Sequence, residues 1–425
     1  MKVLMFGWEF PPHITGGLGT ACYGLTKGLS KFDVEVLFVV PKVYGDEDER
    51  YIHLKNAGDV LITERKTEFS EFWEKFTYLE VGSNLIPYMS PEEYRKIFDI
   101  AASKSELREA VSSKHFKFSG QYGNDLYREV ARYALIASYI AASDRFDIIH
   151  AHDWLTYSAG IAAKEVLKKP LVVHMHATEF DRSGEHINQR IYDIERAGME
   201  AADKVIAVSN LTRNIIINRY GINPEKVVTI HNSVEPTTLP DEFRMTKGFS
   251  EKTVTFLGRV TFQKGPDYFV EAAKKVIDKD PHVRFVMAGS GDMLNRMIKR
   301  VAQLGIATKF HFTGFLKGQE VYEMFSMSDV YVMPSVSEPF GISPLEAMMS
   351  DVPVIISKQS GVSEILRYAL KVDFWDVDDL ADAIYGILHY EGLSKMFKKC
   401  GKEEVENLRW ENSAFKVNEV YKSLV

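Results

Sequence analysis

The chain has 425 residues, 45% hydrophobic and 26% charged, close to the soluble globular average; this excludes a disordered or fibrous protein and leaves room for two domains. A formal net charge of -7 argues against a nucleic-acid footprint, and no apolar run approaches the roughly 18 residues that a membrane span needs. Cys22 and Cys400, near opposite ends, build neither a disulfide framework nor a cysteine metal site, so a reducing cytoplasmic compartment is expected.

In chain order, the N-terminal MKVLMF lacks a signal-cleavage pattern and reads as a strand over 2–6. PPHITGGLG then leads into a helix over 19–30, and Gly16 and Gly17 permit either close backbone approach to a ligand or a tight turn. The spacing is not GxGxxG and no acidic residue ends the second strand, over 34–40, which disfavours a dinucleotide enzyme. Residues 44–123 are too long for a loop and carry amphipathic pieces at 70–78 and 91–101. They read as an insertion resting on the first domain and able to form an acceptor groove, an interface or a lid. A helix over 126–142 and strands over 148–151, 171–174 and 205–208 follow. Short continuous apolar runs alternating with helices signal a parallel sheet covered on both faces.

Periodicity is lost over 236–250, which is the expected linker. The alternation then resumes, with strands over 254–257, 284–288, 310–313, 330–334 and 354–357. The tail at 403–424 reads as one helix with an apolar stripe of Trp410, Phe415, Val417, Val420, Tyr421 and Leu424. The expected fold class is α/β: two Rossmann-like, doubly wound parallel-sheet domains over 1–236 and 251–402, with the tail at 403–425 packing back on the first.

Chemistry gathers at strand ends. HAHDW at 150–154 and HMHATEF at 174–180 crowd polar groups onto neighbouring strands, and alternation pairs His150 with His152 and His174 with His176. These four, with Asp153, offer a metal site; the preferred reading gives Asp153 and His176 hydrogen bonds to sugar hydroxyls and His150 and His174 structural roles. FLGRVTFQKGPD puts Arg259 and Lys264 in a loop at a strand's carboxyl edge, where open α/β sheets bind ligands. A guanidinium fork and an ammonium point charge suit a departing diphosphate, although either alone reads as an ordinary surface cation. Gly289 and Gly291 in MAGSGD form a turn of low specificity.

EPFGISPLE at 338–346 is the sharpest signal. Glu338 and Glu346 bracket a glycine turn that opens a helix near Ser343, so backbone N–H groups face an anion such as a diphosphate. Glu346, a turn inside the helix, can accept ribose hydroxyls, while Glu338 stays in the loop near the sugar. The competing reading is a plain strand-to-helix connection with a solvated glutamate pair.

Together these motifs, in this order along nearly the whole chain, resemble the retaining GT-B glycosyltransferases of family 4, group 1, whose E-x7-E motif is matched by Glu338 and Glu346. The resemblance implies a donor held by the second domain: Arg259 and Lys264 on the diphosphate, backbone N–H groups of Gly341 and Ile342 beside Phe340, Glu346 on the ribose, and Glu338 and His176 facing the donor sugar. It implies no metal cofactor, because the two cations and the helix start replace one.

The first half is also similar to glycogen and starch synthases. Ile14 stands where the bacterial ADP-glucose enzymes have Lys, and Glu346 is present where they usually lack it. The expected function is therefore transfer of a hexose, glucose, from UDP-glucose to a saccharide acceptor such as an α-glucan, with ADP- and GDP-sugars as alternative donors. A nucleotide-sugar epimerase of GT-B fold, or a transferase acting on a lipid-linked or surface polysaccharide, is the alternative. The sequence leaves acceptor, linkage and oligomeric state open.

Overall fold

The computed structural model describes residues 1–13, 16–60, 116, 118–120, 126–235 and 247–425. Two parallel sheets carry the chain. The first holds β1 (Lys2–Phe6), β2 (Glu35–Val40), β3 (His53–Asn56), β4 (Ile148–His152), β5 (Leu171–Met175), β6 (Lys204–Ala207) and β7 (Val227–Thr229), in the order β3-β2-β1-β4-β5-β6-β7. The second holds β8 (Lys252–Leu257), β9 (Val283–Ala288), β10 (Phe310–Gly314), β11 (Val330–Met333), β12 (Val354–Ser357) and β13 (Leu370–Val372), in the order β10-β9-β8-β11-β12-β13. Each sheet reverses its winding beside its first strand, between β1 and β4 and between β8 and β11. Such switch points open crevices at the strands' carboxyl ends.

The helices that position the site are α1 (Gly17–Leu29), α2 (Leu126–Ser143), α3 (Trp154–Leu167), α4 (Glu179–Ser183), α5 (Gln189–Ala201), α6 (Asn210–Tyr220), α7 (Pro266–Lys279), α8 (Leu294–Gln303), α9 (Gln319–Ser326), α10 (Ser343–Met349), α11 (Val377–His389), α12 (Glu391–Val405) and α13 (Trp410–Lys422). Strand alternation sorts the first sheet's residues between two layers. Ile149, Val173 and Val205 join the core with α2 and α3, whereas Ile148, Val172 and Ile206 join the core with α1 and α13.

α13 returns from the second half to lie on α1, and two glycines make that possible. A Cβ at Gly24 would lie 2.3 Å from the Trp410 ring, and one at Gly28 would lie 2.7 Å from the Ala414 Cβ. Trp410, Val417 and Tyr421 are buried in this seam, whereas Phe415, expected in the stripe, is 50% exposed. The expected single helix over 403–424 is two, because the chain turns between Val405 and Trp410 and re-aims the last segment at the first sheet.

The insertion expected over 44–123 begins inside the fold. His53–Asn56 pairs with β2 as an edge strand, its mixed polar sequence masking it from a search for apolar runs. The remainder at 61–115, 117 and 121–123 lies outside the described residues, as do 236–246 of the expected linker. β7 and β13, each 3 residues long, also went unread because they are too short to show periodicity. Among the described residues no helix is long and apolar enough to cross a membrane.

Candidate active site

Loops from the carboxyl edges of both sheets meet. On the second sheet, β8 ends at Leu257 and the chain turns through Gly258 to Arg259, which is exposed. A 3-10 turn, Phe262–Lys264, follows, and the Lys264 stem lies against Gly258. Gly289 and Gly291 hold this loop from the side: a Cβ at Gly289 would lie 1.8 Å from the Gly258 carbonyl oxygen, and one at Gly291 would lie 2.3 Å from that of Val260. The Val260 N–H donates to the Ser290 carbonyl at 2.9 Å. The close approach that these glycines permit is therefore between two backbones.

The Lys264 ammonium forms an ion pair with Glu338, whose carboxylate also accepts from the Ser335 hydroxyl at 3.2 Å. Glu338 is buried, and its main chain is pinned to the loop after β12 by Glu338 N–H to Gln359 O at 3.0 Å and Gly361 N–H to Glu338 O at 2.9 Å. Gly341, at φ +102°, turns the chain into α10, which begins with Ser343 and Pro344. A proline at the second helical position costs no hydrogen bond, because the N–H it removes has no partner inside the helix.

Glu346 stands in the first turn of α10. Burial pushes its carboxyl up to about 7, and no hydrogen bond to that carboxyl exists among the described residues. Phe340 departs from the expected donor-side placement. It is 2% exposed and packs in the core with Met333, Leu345 and Val362, so its ring holds the loop from beneath.

On the first sheet, Asp153 caps α3 in a positive-φ conformation (φ 64°), its carboxylate accepting from the Trp154 N–H at 2.8 Å. An aspartate held there stores about 1–3 kcal/mol of backbone strain. Burial raises the Asp153 carboxyl, opposed by Arg182 and the Trp154 N–H and, across the cleft, by Arg259. His176 pairs its Nε2 with His152 Nδ1 at 3.0 Å, and burial pushes its pKa down to about 3.

Arg182 organises this side. Its guanidinium donates to the Ala177 carbonyl at 2.8 Å and to Glu179 at 3.3 Å, pairs with Glu195 and lies 3.9 Å from Asp153. Tyr220 closes the network onto Glu195. Sequence reading passed over Arg182, Asp181, Glu195 and Ser337. The TEFD run was the available signal, since Thr178 and Asp181 have capping-box spacing and form that box here.

The halves touch at several points. The Ser337 hydroxyl donates to Asp181 at 2.5 Å, and a Cβ on Gly17 would lie 3.8 Å from Ile342 Cδ1. Glu364 accepts from the Asn210 and Leu211 N–H groups at the start of α6, at 2.9 and 2.7 Å, and pairs with His231 at 2.8 Å. Gly16 is extended (φ −175°), caps α1 and faces open space. Lys264, Glu338, Gly341 and Arg259 are thus neighbours on one rim, opposite Asp153 and Asp181, with Gly17 meeting Ile342.

A charged, glycine-turned rim at a double switch point calls for comparison with known families. The family model Glycosyltransferase Family 4 matches residues 97–238, and Glycosyl transferases group 1 matches residues 241–404. The chain is a group 1, family 4 glycosyltransferase. This glycosyltransferase is 28% identical to an uncharacterized glycosyltransferase of Methanocaldococcus jannaschii, over 99% of this chain and 98% of that one. It is 23% identical to the glycogen synthase of Mycobacterium tuberculosis, over 99% and 94%. Anabaena HepE, solved in complex with UDP and glucose, shares the GT-B fold at a TM-score of 0.67 and 17% identity, with 100% of both chains covered.

Proposed function

We propose that this glycosyltransferase moves glucose from UDP-glucose to an α-glucan acceptor with retention of configuration, in the cytoplasm. The observation that carries the reading is the rim itself: an exposed Arg259 following Gly258, the Lys264 stem against that glycine, Glu338 on Lys264, and the Gly341 turn opening α10. A departing diphosphate is met there by a fork, a point charge and the N–H groups of Gly341 and Ile342, so the reading needs no metal at that position. Glu346, half-buried and with no hydrogen bond to its carboxyl among the described residues, accepts the ribose hydroxyls. Glu338 and His176 face the donor sugar, and Asp153 orients an acceptor or donor hydroxyl from the opposite rim.

The acceptor hydroxyl attacks the anomeric carbon on the face from which the diphosphate leaves, and a donor phosphate oxygen takes its proton. The protein stabilises charge and keeps water out as the two rims close. Glucose and UDP are favoured by two resemblances, one in sequence to a glycogen synthase and one in fold to a protein solved with UDP and glucose.

The test pairs a thermal-shift panel of UDP-, ADP- and GDP-glucose with an acceptor assay on a maltooligosaccharide, following UDP release and the anomeric proton by NMR. Stabilisation by UDP-glucose together with a new α-linked glucose is expected. A new sugar nucleotide formed without acceptor, or no stabilisation by any of the three donors, overturns the reading.

A further inference from the structure

β4 and β5 place His150, His152 and His174 on the face of the first sheet that α1 and α13 cover, each at most 3% exposed. Residues this deep normally have every polar atom satisfied. Here His150 Nε2, His152 Nε2 and both nitrogens of His174 have no hydrogen-bond partner among the described residues. An orphaned buried polar atom costs about 1–3 kcal/mol. Four such atoms on three neighbouring rings are a poor way to fill a core and a good way to bind something.

Two of the rings are held from behind. His150 Nδ1 pairs with the Tyr421 hydroxyl at 2.5 Å, and His152 Nδ1 pairs with His176 Nε2 at 3.0 Å. Metal-binding histidines are oriented in this way, the outer nitrogen tied to a partner and the inner one presenting its lone pair. One ligand nitrogen from each of His150, His152 and His174 lies within 4.8 Å of the other two. Their ring centres are 4.2, 5.5 and 5.2 Å apart. Three imidazoles on a tetrahedral Zn²⁺, with bonds of about 2.0–2.1 Å, have centres about 5 Å apart. The rings lie within 30° of parallel, so final convergence takes a swing about χ2, a broad torsion in histidine.

We propose that His150, His152 and His174 form a structural site for a divalent transition metal of the Zn²⁺ class, separate from the diphosphate rim. A second set, Cys22 with His152 and His176, shares His152. The three-histidine set is preferred because His176 Nε2 is already engaged with His152. Through Tyr421 the metal ties the returning α13 to β4 and so fixes the seam between the chain's two halves.

Untagged full-length protein, stripped with a chelator, is titrated with Co²⁺ and then Zn²⁺. One equivalent of Co²⁺ with the d–d absorption of a low-coordinate imidazole complex is expected, followed by displacement by Zn²⁺ and a higher thermal midpoint. His174→Gln should weaken Co²⁺ binding by at least about tenfold while keeping the wild-type circular dichroism. Tyr421→Phe, which spares all three ligands, should weaken it by about ten- to a hundredfold through loss of the outer partner. Absence of the d–d band at stoichiometric Co²⁺, or wild-type affinity in His174→Gln, overturns the proposal.

Discussion

At the carboxyl edge of β4 and β5, His150, His152 and Asp153 are buried and the Arg182 guanidinium is engaged with carboxylates on three sides. At the carboxyl edge of β8 and β11, Arg259 stands in the open, and the two loops are joined by the Val336 N–H to Gln263 carbonyl bond at 2.9 Å and by the Lys264–Glu338 ion pair. Strand order and parallel hand are shared, so the difference lies in what each edge does. The first edge invests its polar groups in holding shape, where removing a group strands its partner. The second keeps charge loosely tied, so that a ligand can displace water from it. Substitutions on the first side should therefore cost stability, and those on the second should cost turnover.

The largest effect is expected where the first side is closed from above. Trp410→Ala removes a ring that fills the space left by Gly24, and should destabilise the fold by about 3–5 kcal/mol in denaturant unfolding. A loss below about 1 kcal/mol would mean that α13 contributes little to the first domain, and the division of labour would fail on that side.

Next comes Lys264→Ala. Its side chain is 20% exposed and pairs with the buried Glu338, so the single variant loses some stability through the stranded carboxylate while kcat falls by about 10²–10³. Because the substitution also frees Glu338, Lys264→Ala with Glu338→Gln separates loss of the cation from the stranded carboxylate. Wild-type turnover in either variant would remove the second side's distinction.

Glu346 sharpens the contrast through pH. Its carboxyl is raised to about 7 by burial, so its stabilising contribution is complete below the unfolded pKa of about 4.3 and is lost as pH rises through 7. Ribose recognition needs the ionised form, so donor affinity should rise about tenfold between pH 6 and pH 8. Glu346→Gln should bind donor weakly at both pH values while melting higher than wild type at pH 8 and close to it at pH 5. A wild-type affinity flat across this range would show that Glu346 does not contact the donor in its ionised form.

The legibility of the molecule follows the same divide. The central strands and the E-x7-E turn were readable because a buried parallel strand must be an unbroken apolar run and a helix-opening glycine leaves a local mark. β3 was not, since HLKN is half-exposed and carries no pattern. That the Phe340 ring turns into the core was not readable, because a motif position does not reveal which way a ring points. The Arg182–Glu195–Tyr220 network was invisible for another reason: its members lie up to 38 residues apart and meet only through the packing of α4, α5 and α6. Charge in loops announces itself in sequence; charge satisfied by tertiary contact does not.

The smallest expected effect settles what the first side's glycine loop does. Gly17 opens α1 without a positive φ, and an added Cβ would meet Ile342 Cδ1 at an ordinary 3.8 Å, so alanine fits the fold. Glycine in a helix gives up about 0.5–1 kcal/mol relative to alanine, so Gly17→Ala should melt no lower than wild type and somewhat higher. The same methyl would stand where the first rim closes on the second, and there it should raise KM for the donor by a few-fold with kcat nearly unchanged. If KM is unmoved while stability rises, the GGLG segment is only a turn. The reactive edge would then belong wholly to the second sheet.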